Sequence, residues 1–167
     1  MELPDTFQHG ELEKLTDDFI PTREDVENLQ KIVSQLPQTE SLETDHYFSG
    51  GMYCRKLFRK QHTLIVGKVH KADHIFLCAM GEIKVWTEKG IKILKAGDVL
   101  ESKAGTKRVT LALTDAIGIT IHKTDKTDLD EIEKELIEED GIALFDSNNK
   151  LKQVLISDNA LEIGELI

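Results

Sequence analysis

Residues 67–102 read GKVHKADHIFLCAMGEIKVWTEKGIKILKAGDVLES and carry the clearest structural pattern in the chain. Short runs rich in β-branched and other apolar residues are separated by breaks at Gly81, at EKG (88–90) and at KAG (95–97). Runs of this length with alternating apolar and polar side chains are typical of strands that bury one face. The stretch therefore predicts successive antiparallel strands joined by glycine-containing turns.

The strand pattern continues on both sides of this stretch. In chain order the runs are MYCRKLF (52–58), TLIVGKVH (63–70), HIFLCAM (74–80), EIKVWTE (82–88), IKILKA (91–96), DVLES (98–102), RVTLALT (108–114) and AIGITIH (116–122). No helical period separates these eight runs, and such a succession is typical of an antiparallel sandwich or barrel. The sequence thus predicts a mainly β domain over residues 46–124.

The residues before this domain predict an arm and one helix. Residues 1–20 are polar with scattered apolar side chains, which is typical of an arm that becomes ordered when a partner binds. Residues 21–38 predict a helix with Thr22 as N-cap and Pro37 just after its end. Its apolar stripe is formed by Val26, Leu29, Ile32, Val33 and Leu36. Residues 1–45 are therefore predicted to be an N-terminal extension.

Residues 125–167 predict a C-terminal extension. TDLDEIEKELIEEDG (127–141) predicts a helix capped by Thr127 and closed by Gly141, with Leu129, Ile132 and Leu136 on its apolar face. The next segment, 142–157, has two apolar runs around Asn148 and Asn149 and predicts a hairpin. The last ten residues, DNALEIGELI, predict an apolar end that docks on a neighbouring surface.

Composition narrows the class of protein. The chain has 167 residues, of which 40% are apolar and 31% charged, as expected for one globular domain with extensions. No apolar run approaches the roughly 20 residues of a membrane span, and the N-terminus lacks the pattern of a secretory signal. We therefore expect a protein that is neither secreted by a signal peptide nor transmembrane. Cys54 and Cys78 lie in apolar runs and predict reduced thiols.

Charge is distributed unevenly along the chain, whose net charge is −10. Basic and acidic side chains number 3 and 12 in residues 1–50, 13 and 5 in 51–108, and 5 and 14 in 109–167. The acidic ends either form solvated helix faces or pack near the basic middle and guide assembly. Nucleic acid is not expected as a partner, because the basic segment has no interleaved aromatic residues.

Two motifs in the strand region resemble those of cupins. GKVHKADHIFLCAMGEIKV, aligned on Gly81, puts Lys68 and His70 at the two histidine positions of the first cupin motif and His74 at its acidic position. In the second motif Gly97–Asp98 and Gly105 match, whereas Lys103 replaces a proline and Arg108 replaces a histidine. The resemblance implies a cupin-type double-stranded β-helix, a jelly-roll barrel, with flanking N- and C-terminal helices.

The resemblance also implies four positions for metal ligands, and two of them carry cations here. Lysine and arginine offer no lone pair at neutral pH, so only His70 and His74 remain as donors. A resident divalent metal would need a third donor, for which His122, His46 and Glu101 are candidates. On the cupin positions alone we expect no cofactor.

Without metal, the same residues predict a charged pocket formed by Lys68, His70, His74, Glu101 and Arg108. Either Glu101 pairs with Arg108 and the histidines bond to the backbone, or the pocket binds a carboxylate or phosphate. No nucleophile elbow, phosphate loop, CxxC pair or HExxH helix is found, so no catalytic residue is assigned.

A narrower resemblance concerns cupin-like proteins of tailed bacteriophages. It is carried by DHYFSGGMYCRKLF (45–58), GKVHKADHI (67–75), AGTKRV (104–109) and TIHKTDKTDLDEIEKELI (120–137). The group has a G-T-K-R turn, which matches here in full at 105–108. The resemblance implies a phage protein without assigned enzymatic activity that is built into the virion. It also implies a location in the virion or in the host cytoplasm.

Two hypotheses follow. The first is a non-enzymatic structural or accessory protein of a phage particle, with the barrel as a rigid block. Its arm, helix and tail would contact other virion proteins or further copies of the chain as a homo-oligomer. The second is a metal-dependent cupin enzyme that acts on a small anionic substrate, with His70 and His74 as ligands and Arg108 binding the substrate.

Overall fold

The computed structural model describes residues 19–152 and is mainly β, as predicted. In chain order its elements are α1 (Arg23–Val33), β1 (Thr44–Ser49), β2 (Met52–Arg59), β3 (Leu64–Val66), β4 (His74–Met80), β5 (Glu82–Thr87), β6 (Gly90–Lys95), β7 (Val99–Ser102), β8 (Val109–Ala112), β9 (Ala116–Lys123) and α2 (Leu129–Leu136). The eight predicted runs correspond in order to β2–β9, and β1 is an additional strand.

The strands form two antiparallel sheets with the topology of a jelly roll. One sheet has the order β1-β2-β9-β4-β7 and the other has the order β3-β8-β5-β6. If β1 is left aside, two four-stranded sheets remain, in which each strand pairs with the partners that two Greek keys require. This strand order confirms the predicted cupin-type jelly-roll barrel.

The barrel core lies between the two sheets. It is formed by buried side chains that include Phe76, Cys78, Ile83, Val85 and Leu94. Strand β5 shows why the sequence folds this way: Ile83, Val85 and Thr87 are buried and alternate with half-buried residues. Each fully buried aliphatic side chain contributes about 1.5–3 kcal/mol relative to exposure, so this alternation determines which face of β5 turns inward.

Gly81 joins β4 to β5 at a tightly packed point. Its φ is +74°, a left-handed value that glycine adopts without steric cost. A Cβ at this position would overlap the carbonyl oxygen of Asp115 in the turn between β8 and β9. The break predicted at Gly81 is thus where two hairpin turns touch.

Helix α1 begins as predicted but ends earlier. Thr22 and Asp25 form a capping box at its start. The helix ends at Val33, and Ile32 and Leu36 are exposed, so the predicted apolar stripe is wrong in its second half. The buried residues are Val26 and Gln30. The side-chain amide of Gln30 donates a hydrogen bond to the Asp140 carboxylate.

Helix α2 has the predicted apolar face but different ends. Asp128, not Thr127, caps it, since the Asp128 side chain accepts from the Glu131 amide. It stops at Leu136, short of the predicted Gly141, because Ile137 turns extended and forms a bridge to His70. Ile132 and Leu136 are buried against Tyr53 at one end of the barrel.

Beyond α2 the chain makes the turn of the predicted hairpin, with a bridge between Phe145 and Leu151 and a positive φ at Asn149. The rest of that hairpin, most of the predicted arm and the apolar end lie outside the described residues. Neither of the two described helices has the length and apolar character that crossing a membrane requires.

Candidate metal centre

Three histidines converge inside the barrel near the end covered by α2. Alternation along β4 and β9 turns His74 and His122 inward, and both are buried. His70 precedes β4 and is held by three backbone contacts: its carbonyl accepts from the Gly105 amide, its amide donates to the Thr106 carbonyl, and it bridges to Ile137. The ring centroids are 4.0 Å apart for His70–His74, 5.1 Å for His70–His122 and 4.9 Å for His74–His122.

The ring nitrogens of this cluster are arranged as potential metal donors. One nitrogen from each of His70, His74 and His122 lies within 4.8 Å of the others. Two imidazole nitrogens on one tetrahedral ion are ~3.4 Å apart when each metal–nitrogen bond is ~2.1 Å. A movement of each nitrogen by less than about 1 Å therefore brings the donors to the spacing that one ion requires.

Burial keeps these imidazoles neutral. It lowers the pKa of His70 to about 2 and that of His122 to about 3, and His74 adds to both shifts. The pKa of His74 is also lowered, again mainly by burial, with Arg108 and Arg55 contributing. A neutral imidazole has a free lone pair, which is the form that binds a metal ion.

Two hydrogen-bonding observations show that the residues fit a metal ion. The His70 Nε2 atom is buried and has no partner in the described part of the chain. The His74 Nδ1 atom lies 3.4 Å from the Ala72 carbonyl oxygen, which can only accept, so this nitrogen donates and Nε2 keeps its lone pair. A histidine whose other nitrogen donates to a carbonyl is the usual arrangement of a metal ligand.

Helix α2 forms one wall of a small cavity beside the cluster. Leu129, Ile132 and Leu136 of this helix line one side, and Tyr53, Arg55, His70 and His122 line the barrel side. The cavity volume is ≈ 20 Å³. Because about 10–15 Å³ suffices for one water molecule, this space admits a water or an ion but no organic substrate.

The three candidates for a third donor occupy different places. His122 lies in the cluster, whereas the Nδ1 atom of His46 is 2.8 Å from the Tyr53 hydroxyl and is engaged there. Glu101 is exposed and pairs in register with Ile75, on the outward side of β7. The register of β9 thus brings His122, and not the other two, to His70 and His74.

The two cations at cupin ligand positions both have partners. Lys68 Nζ lies 2.5 Å from Glu133 Oε1 on α2. Arg108 donates from Nε to the Ser102 hydroxyl and lies 3.5 Å from the Glu88 carboxylate. The acid beside Arg108 is therefore Glu88, not Glu101, of which only the backbone carbonyl faces the guanidinium.

Two inward arginines on β2 were not among the predicted site residues. Arg55 lines the cavity and lowers the pKa of His70 and His122. Arg59 is buried, donates to the Thr110 hydroxyl and lies over the Phe76 ring, and its Nε has no partner among residues 19–152. Alternation from the buried Tyr53 along β2 is the sequence signal that places both on the inner face.

No protein-family model matches the chain, and no curated protein matches it. Among solved structures, an RmlC-like cupin from Shewanella frigidimarina has 20% identity and a TM-score of 0.47, over 54% of this chain and 82% of that one. KdgF from Halomonas sp. has 14% identity and a TM-score of 0.47, over 55% and 87%. The EutQ protein of Clostridium difficile has 14% identity and a TM-score of 0.43, over 52% and 70%. Of these three structures, the one from Shewanella frigidimarina is described as a cupin.

Proposed function

We propose that the protein is a non-enzymatic building block that binds one divalent transition-metal ion at His70, His74 and His122. The observation that carries the proposal is the convergence of three neutral imidazoles, of which His74 and His122 are buried and His70 is half-buried. The Nε2 atom of His70 has no partner among the described residues. Imidazole suits zinc, iron, nickel and copper. The ion would join the segment before β4 to β4 and β9 and would leave further coordination positions open to water.

The small volume of the cavity supports a role other than catalysis. Ligand pockets usually have volumes of about 300–1,000 Å³, whereas this one has ≈ 20 Å³. Two of the α2 residues that line it, Ile132 and Leu136, are buried against Tyr53. Opening the cavity would expose this apolar contact to water, so α2 acts as a packed wall of the barrel rather than as a loose cover.

One observation favours the second hypothesis, a metal-dependent enzyme that acts on a small anion. Arg55 lines the same cavity and forms no ion pair with any acid in the described part of the chain. An unpaired guanidinium beside a metal ion would attract a carboxylate or phosphate. This function would require α2 to move away from Tyr53 so that substrate could enter.

The location of the building block in a phage particle is part of the same proposal. It rests on the resemblance at 105–108 and in the segment that leads into α2, and on the contrast between a basic middle and acidic ends. We expect the chain to be present in purified virions at a fixed copy number. Quantitative mass spectrometry of purified particles tests this, and its absence from them would contradict a virion role.

Metal analysis tests the binding site. We expect one equivalent of metal per chain in the wild type and loss of the metal in the His70→Ala/His74→Ala double variant and in His122→Ala. The matched control is His62→Asn, since His62 is exposed and has a φ of +66°, which asparagine tolerates. If the wild type binds no metal, or if His122→Ala retains it fully, the proposed site is wrong.

A spectroscopic measurement separates the building block from the enzyme. Cobalt in place of the native ion reports changes in its ligands by visible absorption. We expect acetate, succinate and phosphate to leave the wild-type spectrum unchanged, because the cavity volume of ≈ 20 Å³ is too small for them. A saturable spectral change that disappears in Arg55→Met would favour the enzyme instead.

A further inference from the structure

The smaller sheet has an outer surface on which apolar and basic side chains lie together. Alternation along β5 turns Val85 into the core, so that Lys84 and Trp86 lie on the outside. In register, Trp86 pairs with Ile91 and Lys84 pairs with Ile93, both on the edge strand β6. Ile93 is 50% exposed. We call the surface formed by Lys84, Trp86, Ile91 and Ile93 the β5–β6 face.

Three lysines lie on or beside the β5–β6 face. Lys84 is part of the face, Lys89 lies in the turn between β5 and β6, and Lys92 is on the edge strand. None of the three forms an ion pair with any of residues 19–152. Apolar side chains bordered by unpaired lysines favour an occupant that combines apolar residues with negative charge.

The N-terminal end of the described chain lies on this face. Phe19 packs edge-on against Trp86, with ring centroids 5.6 Å apart. The segment 1–18 therefore joins the described chain beside the β5–β6 face. Ile93 lies about 8 Å from Trp86, since it is one strand away at ~4.8 Å and two residues further along β6. Four extended residues span about 13 Å, so Leu15 can reach Ile93 from Phe19.

The segment 153–167 begins elsewhere. It follows Lys152, which lines a cavity beside α2 together with Lys68 and Glu139. Of the two segments outside the described residues, 1–18 is therefore the one that starts on the β5–β6 face.

The segment 1–18 also has the composition that this surface favours. It reads MELPDTFQHGELEKLTDD and contains six acidic side chains but one lysine and no arginine. Its larger apolar residues are Met1, Leu3, Phe7, Leu12 and Leu15. Asp17 and Asp18 directly precede Phe19, so negative charge is concentrated where the segment meets the lysines. The segment and the face are thus complementary in both charge and hydrophobic character.

We infer that residues 1–18 form an acidic arm that folds back onto the β5–β6 face of its own chain. Leu15 packs against Ile93, and acidic side chains of the arm lie beside Lys84 and Lys89. Apolar burial and opposite charge together hold this contact, which does not involve the metal centre. An acidic, apolar segment of another protein can then bind the β5–β6 face only by displacing the arm.

Limited trypsin digestion of the full chain tests the contact, because Lys14 is the only lysine or arginine among residues 1–18. We expect slow release of the fragment 1–14 from the wild type, followed by mass spectrometry. Ile93→Glu and Lys84→Glu should each accelerate this release about tenfold, since each places a negative charge against the acidic arm. High salt should also accelerate it, because about 0.5 M salt screens exposed charges.

Ile75→Glu is the matched control. Ile75 is 41% exposed and lies on β4 in the larger sheet, so this variant should release the fragment 1–14 at the wild-type rate. Ile75 and Ile93 are both exposed, so both glutamate variants should fold, which circular dichroism checks.

The fluorescence of Trp86, the only tryptophan, provides a second measurement. Leu15→Ser in the full chain changes the arm and leaves the β5–β6 face intact. We expect this variant to shift the Trp86 emission to longer wavelength and to increase its quenching by acrylamide. The emission and quenching of Ile75→Glu should match those of the wild type.

The dependence on protein concentration identifies which arm occupies the face. An arm of the same chain should protect Lys14 equally at about 1 μM and about 100 μM protein. Protection that increases with concentration would mean that the arm of another copy binds, which overturns the inference. Equal cleavage rates of the wild type and Ile93→Glu, equal acceleration by Ile75→Glu, or an unchanged Trp86 signal in Leu15→Ser would overturn it as well.

Discussion

His122 on β9 lies directly across from Tyr53 on β2, and their rings stack with centroids 6.1 Å apart. The same tyrosine packs against Ile132 and Leu136 of α2, and its hydroxyl bonds to His46. Burial raises the pKa of Tyr53, so it remains a neutral phenol. Tyr53 thus joins the third histidine of the candidate metal centre to α2, the helix that lines one side of the cavity.

Substitution of Tyr53 should separate packing from hydrogen bonding. Tyr53→Phe keeps the stacked ring and loses only the bond to His46, so metal affinity should change less than threefold. Tyr53→Ala removes the ring that supports His122 and should lower metal affinity about 10–100-fold, the usual effect of a residue that orients a ligand. Calorimetric metal titration measures both, and equal effects of the two variants would contradict this role.

Metal-free protein should lose stability in acid. The pKa of a histidine in the unfolded chain is near 6.5, whereas in the folded chain it is about 2 for His70 and about 3 for His122. Between these values the unfolded state binds more protons, so the free energy of unfolding falls as pH decreases below 6.5. The slope is up to about 1.4 kcal/mol per pH unit for each proton.

Urea unfolding of chelator-treated protein at pH 7.5 and pH 5.0 measures this effect. His122→Ala should show a smaller loss between the two pH values than the wild type. Equal stability of the wild type at both pH values would mean that these histidines are not held neutral by burial.

The pair Lys107–Asp140 should contribute more to stability than the similar pair Lys103–Asp73. Lys107 and Asp140 are 3.0 Å apart with side chains 4% and 12% exposed, whereas Lys103 and Asp73 are 2.8 Å apart and 75% and 60% exposed. Asp140→Asn should cost about 3–5 kcal/mol, because it leaves the buried Lys107 ammonium without its counter-charge. Asp73→Asn should cost no more than about 1 kcal/mol. Denaturant unfolding distinguishes them, and similar costs would contradict the importance of burial.

Gly81 and Gly97 offer a matched comparison of steric overlap. Both have positive φ, but a Cβ at Gly81 would meet Asp115 and Thr114, whereas one at Gly97 would meet nothing within 4 Å. Gly97→Ala should cost about 1–2 kcal/mol for the left-handed backbone alone. Gly81→Ala should cost clearly more, as measured by thermal unfolding. If the two variants have the same melting temperature, the two hairpin turns do not touch as described.

The sequence predicted the eight barrel strands because most of the runs alternate or are β-branched, and several are separated by glycine-containing breaks such as Gly81. It did not predict β1, whose outward and inward residues are almost all exposed or half-buried and therefore show no hydrophobic alternation. The burial of Gln30 was also missed, since it depends on Asp140, which is distant in the chain.

The candidate site was predicted only in part, because it too depends on contacts between residues that are distant in the chain. His70 and His74 lie in one local motif, and His122 was one of three possible third donors. Choosing among the three requires knowing that β9 pairs with both β2 and β4, which is a property of the tertiary fold. Glu101 was easier to exclude as the acid that pairs with Arg108. Glu101 and Ser102 are neighbours on β7, so their side chains lie on opposite faces, and Ser102 is the buried one.

Anomalous X-ray diffraction from metal-loaded crystals, recorded on both sides of the absorption edge of the bound element, locates an ion and identifies its ligands. We predict one ion per chain inside the barrel, bound to one nitrogen each of His70, His74 and His122. An ion bound elsewhere, or a barrel that stays empty at saturating metal, would contradict this structure-based assignment.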